Sequence, residues 1–201
     1  MSTRTSPPMT TNPTATQPVT RYTRTAMTLH WLTALGMICN VALALTVDYL
    51  PDDWIRPVID THKSIGITVL GLAVLRILWR ISHRPPEPPQ DAPRWERAAA
   101  HVAHVLLYVL IFALPISGWL HDSAWKDAAT HPMSLFHVVP WFRINFIMDL
   151  PPAQKEHLHD VFGAIHTSFA YMLYVVLALH ILGALKHKLI DRESALSRML
   201  P

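Results

Sequence analysis

Apolar residues gather into four long runs, about residues 26–47, 64–81, 98–120 and 162–185, instead of alternating at strand period or striping one helical face. A helix of ~20 residues crosses the ~30 Å hydrocarbon core of a bilayer, and each run has about that length. A backbone in lipid must satisfy its own hydrogen bonds, so each run predicts a helix. The expected fold is all-α: one integral membrane four-helix bundle whose interior can hold cofactors. No internal repeat is visible.

Composition agrees, with 51% of residues hydrophobic and only 15% charged, too apolar for a soluble domain on a single anchor. Residues 1–20 are rich in Ser, Thr and Pro and contain no apolar core of a signal peptide, which predicts a disordered cytoplasmic tail ahead of a four-span domain at 21–201. The proline-rich stretch 84–93 reads as a stiff linker. The outer loop, taken as 121–160, carries Trp125, Phe136, Trp141, Phe142 and Phe146, which suit an interfacial cap on the bundle. Cys39 is the single cysteine, so neither an intrachain disulfide nor a cysteine-held metal cluster is available.

Charge sets the orientation. Twelve of the seventeen Lys and Arg fall on the side that holds both termini and the connection between the second and third runs, and five on the other. The positive-inside rule therefore places both termini in the cytoplasm. With five acidic residues inside and nine outside, the sides sum to +7 and −4, recovering the net +3. The basic pI of 9.2 thus reflects topology and does not point to nucleic acid.

His166 and His180 stand fourteen residues apart in the fourth run. At about 100° per residue both leave one face of a helix, about 21 Å apart along its axis. Ionisable groups in lipid mark functional sites by default, and two depths predict two buried cofactors. His30 shares the inner level with His180, and His62 shares the outer level with His166. Facing imidazoles are a common axial pair for haem iron, so the expected pairs are His30 with His180 and His62 with His166. Gly66 and Gly163 lie on the faces of His62 and His166, where a missing side chain admits either a flat macrocycle or a neighbouring helix.

His101 and His104, at the inner start of the third run, compete as ligands or as polar walls of an inner site. His121, His131, His137, His157 and His159 belong to the outer loop and read as solvated. Met27, Met37 and Met172 read as packing. Arg76 is the deepest cation of the second run and the best candidate to compensate haem propionates, with Arg24 and Arg80 close by; snorkelling to lipid headgroups is the alternative for all three. Lys63 follows His62 on the outer side.

The stretches Arg21-Tyr-Thr-Arg-Thr-Ala-Met-Thr-Leu-His30-Trp31, His62-Lys-Ser-Ile-Gly66, His101-x-x-His104-x-x-x-Tyr108, Leu114-Pro-Ile-Ser-Gly118 and the His166/His180 pair followed by Arg198-Met-Leu-Pro201 resemble, in this order, the bacterial cytochrome b561 family. The resemblance covers about residues 21–201 and implies a bacterial inner-membrane cytochrome with two b-type haems. For the family's best-understood type it implies a superoxide oxidase that reduces ubiquinone. It carries the four ligand positions to His30, His62, His166 and His180, and a position near the quinone to His187. Lys63, with Lys126 and Arg143, is then placed to steer superoxide, against an outer face that is otherwise acidic.

Three classes follow: a superoxide:quinone oxidoreductase, a cytochrome subunit docking a periplasmic dehydrogenase or electron carrier through the outer loop, and a metal-ion transporter. The last is disfavoured because no carboxylate accompanies the histidines within the spans.

Overall fold

The computed structural model describes residues 21–83, 85–86, 93–190 and 199. The tail at 1–20, most of the proline-rich linker, and Arg192 and Arg198 lie outside the described residues. Four long helices dominate: α1 (Arg24–Thr46), α2 (Asp52–Ser82), α3 (Arg94–Ser123) and α5 (Pro152–Leu189). Each is long and apolar enough to cross a membrane, and the chain is an all-α membrane protein. Thr23 caps α1 by accepting from the Ala26 amide at 3.2 Å. The other three start directly after Pro51, Pro93 and Pro151, whose fixed φ and missing N–H suit the edge of a helix.

The helices outrun the apolar stretches. α2 begins at Asp52 and α5 at Pro152, both in polar sequence. With 38 residues, α5 is about 57 Å long, well beyond a hydrocarbon core. The outer connection is consequently shorter than the expected 121–160, because α3 runs on to Ser123 and α5 reaches back to Pro152. Hydropathy marks lipid, not the end of a helix.

α3 packs closely on α5, α1 on α2, and α2 more loosely on α3, whereas α5 makes no comparably extensive approach to α1 or α2. The closeness of α1 to α2 is built on Gly36, where an added Cβ would lie 2.7 Å from Val69 Cγ2. Leu110, Leu173 and Val176 form the buried cluster, joined by Met37, Leu107, Leu114 and Phe169. This apolar layer lies at mid-depth, between the inner and outer histidines.

The outer connection folds onto the end of the bundle. A short hairpin, β1 (Ser134–Leu135) with β2 (Val139–Pro140), turns at Phe136 and His137, whose φ values of 51° and 59° and the Val138 N–H to Leu135 carbonyl bond define a primed turn. The Phe136 amide donates to Ser64 Oγ of α2 at 2.9 Å, and the Ile144 amide, just before the short α4 (Asn145–Met148), donates to Ser123 Oγ at 3.1 Å. Trp119 Nε1 donates to the Phe142 carbonyl at 2.9 Å. The aromatic residues of this segment therefore help form a cap.

Candidate functional site

At the outer level, the rings of His62 on α2 and His166 on α5 have centroids 6.2 Å apart and planes 79° apart. Each is held from behind. His62 Nδ1 lies 3.2 Å from the Asn40 carbonyl of α1, and His166 Nδ1 lies 3.0 Å from both the Leu114 carbonyl and Ser117 Oγ of α3. A carbonyl only accepts, so these bonds put the proton on Nδ1 and leave Nε2 as the free lone pair of each ring. Room for His166 comes from Gly118, where a Cβ would lie 3.1 Å from its Cε1.

At the inner level, His104 on α3 and His180 on α5 have ring centroids 5.2 Å apart. His30 on α1 lies within electrostatic reach of His180, His104 and Arg76. Its Nδ1 is buried with no hydrogen-bond partner among the described residues. Arg76 is half-buried, whereas Arg24 and Arg80 are exposed. Arg76 and Arg80 stand over the Tyr108 ring at 5.1 and 5.8 Å, lining a cleft with Tyr22, Trp79 and Met199. Trp31 Nε1 donates to the Met199 carbonyl at 2.7 Å, tying the C-terminal segment to α1. His187 is half-buried in the last turn of α5, next to Lys186, which pairs with Glu96 at 2.7 Å.

Three residues expected at the sites have close neighbours in the fold. Lys63 pairs with Asp122 at 2.7 Å and with Asp60 at 3.2 Å, so its charge is already compensated. Arg143 is buried, pairing with Asp122 at 2.8 Å and donating to the carbonyls of Ala128 and His131 at 2.7 and 2.5 Å. Arg143 holds the cap and Lys63 ties α2 to α3, while Lys126 is exposed. Gly66 is buried facing α1, where a Cβ would lie 3.4 Å from Asn40 Nδ2, an ordinary contact.

The sequence reading missed Asn40, Ser117 and Asp122. Asn40 acts through its backbone carbonyl, which its side chain does not announce. His121 and His159, read as solvated loop residues, stack at 3.9 Å at the end of α3 and the outer part of α5, over Gly163. Among the described residues no group of three or more His, Cys, Asp or Glu is arranged to hold a metal ion, so the loop histidines form no such cluster.

Imidazoles opposed in pairs at two depths of a helix bundle fit haem ligation, and comparison with known proteins decides the family. The model of the prokaryotic cytochrome b561 family matches residues 21–201. The chain belongs to this family. It is similar to cytochrome b561 homolog 2 of Escherichia coli (strain K12), 36% identical over 183 residues that cover 90% of this chain and 91% of the relative. It is 29% identical over 191 residues to the probable superoxide oxidase CybB of Yersinia pestis, covering 90% and 96% of the two chains. Cytochrome b561 homolog 1 of Escherichia coli (strain K12) is 24% identical over 183 residues, covering 90% and 97%. As a cytochrome b561, the chain is a transmembrane b-type haem protein with a redox, electron-transfer role.

Proposed function

We propose that this cytochrome b561 carries two haems, the outer held by His62 and His166 and the inner by His30 and His180, and passes single electrons from superoxide at the outer face to ubiquinone at the inner end. The observation that carries this reading is the outer pair. Rings 6.2 Å apart would leave room for one metal between them, with metal–imidazole bonds of about 2 Å. The backbone carbonyls behind both rings fix the tautomer that ligation needs.

Helix packing favours His30 over His104 as the inner partner of His180. α3 lies too close to α5 for a macrocycle to stand between them, whereas α1 does not crowd α5. Bound haem supplies one-electron chemistry, matched to a donor that gives one electron and a quinone that accepts them singly. The protein's own groups position and compensate. Arg76 faces the inner site, and His187 stands where the last turn of α5 can offer a quinone a hydrogen bond or proton. Superoxide as donor rests on the likeness to CybB. The charge asymmetry supports placement in the bacterial inner membrane with both termini cytoplasmic.

A second reading, a subunit docking a periplasmic dehydrogenase or electron carrier, draws on the cap, where Phe136, Phe142, Phe146 and Val138 are exposed. The purified chain decides between them: superoxide-driven ubiquinone reduction by the chain alone supports the first, and its absence in protein with full haem content supports the second. For the ligands, His62→Ala and His166→Ala should share one spectral and redox defect, and His30→Ala and His180→Ala another. A matching defect in His30→Ala and His166→Ala, or haem loss in His104→Ala but not His30→Ala, would overturn the pairing.

A further inference from the structure

We infer that the groups behind the histidines set the outer haem site to a lower reduction potential than the inner, so that the fold itself favours electron passage inward. This rests on the di-haem reading above and adds what orders the two sites.

At the outer site both Nδ1–H groups donate to carbonyls, of Asn40 at 3.2 Å and Leu114 at 3.0 Å, and Ser117 Oγ adds a partner at 3.0 Å. An imidazole that donates its distal proton is a more basic ligand and favours the oxidised metal. The cations there do not oppose this, because Lys63 and Arg143 share Asp122 at 2.7 and 2.8 Å and Lys63 also meets Asp60.

At the inner site His30 differs from both outer rings. His30 Nδ1 has no hydrogen-bond partner among the described residues, so that ring lacks the same push. Arg76 lies within electrostatic reach of His30, His104 and His180. Among the described residues no carboxylate pairs with Arg76 or Arg80, whose neighbour is instead the Tyr108 ring. A cation there, set against the propionates in a medium of low dielectric, stabilises the state with one more electron. At the inner site the unsupported His30 ring and Arg76 act in the same sense, and at the outer site the paired cations leave the ligand basicity unopposed.

The test is a spectroelectrochemical titration of the purified haem-loaded protein, its two waves assigned with the ligand variants. The outer wave should titrate at the lower potential. Arg76→Gln should lower the inner wave by a tenfold change in oxidised-to-reduced ratio, about 59 mV for one electron, and leave the outer wave in place. Arg76→Lys should retain the wild-type inner wave, which separates charge from packing. Ser117→Ala should raise the outer wave by less than tenfold, since the Leu114 carbonyl remains. Two waves in the reverse order, or an inner wave indifferent to Arg76→Gln, would overturn the inference while sparing the di-haem reading. A single haem per chain would overturn that reading, and this inference with it.

Discussion

Asp122→Ala should release the outer cap. Its carboxylate joins three elements: Lys63 of α2 at 2.7 Å, Arg143 of the cap at 2.8 Å, and α3, which carries it. The Asp122 and Arg143 side chains are 7% and 4% exposed, so the truncation leaves a guanidinium buried without its counter-charge. Removing one partner of a buried pair costs about 3–5 kcal/mol. Arg143 keeps its bonds to the Ala128 and His131 carbonyls, which puts the expectation at the low end, about 3 kcal/mol. An opening constant rises roughly a hundredfold for that loss. Hydrogen exchange at the Phe136 and Ile144 amides, which donate to Ser64 and Ser123, reads the opening directly, and limited proteolysis within 124–151 reads it independently. The Asp122→Ala/Arg143→Ala double variant should lose less than the sum of the singles by about 1.5 kcal/mol or more. Additive losses, or protection equal to wild type in Asp122→Ala, would refute the view that this pair holds the cap.

Gly36→Ala should lower stability by about 1–3 kcal/mol, since its Cβ would meet Val69 Cγ2 at 2.7 Å, and thermal unfolding should recover in Gly36→Ala/Val69→Ala. His187→Ala should slow quinone reduction without lowering haem content, and unchanged quinone kinetics would remove His187 from the inner site. Reporter fusions after Pro201 and within 124–151 should report opposite compartments, and agreement between them would break the four-span topology.

The four spans and the two histidine depths were legible because lipid imposes a length and a composition that a single sequence displays without partners. Helix ends were not. Beyond the hydrocarbon core the helices continue through polar residues such as Asp52–Asp53 and Pro152–Asp160, where hydropathy carries no signal. Pairing across distance was equally hidden. Asp122 is 21 residues from Arg143, and only the fold makes them partners, so Arg143 read as a free cation suited to steering. The histidines behaved by register: those inside apolar runs could be placed by helical period, whereas His121 and His159 lay past the edge of the pattern and looked solvated until α3 and α5 were seen to extend and stack them. Backbone acceptors such as the Asn40 and Leu114 carbonyls have no side-chain signature at all.

The buried apolar cluster of Leu110, Leu173 and Val176 lies between the two histidine levels. The fourteen residues from His166 to His180 span about 21 Å of a ~30 Å dielectric, so each electron carried inward works against roughly two-thirds of the membrane voltage. At about 2.3 kcal/mol per charge per 100 mV, that is about 1.5 kcal/mol for every 100 mV across the bilayer. If electrons take the proposed inward route, turnover in energised vesicles should slow as the voltage rises, because the membrane potential opposes each transfer.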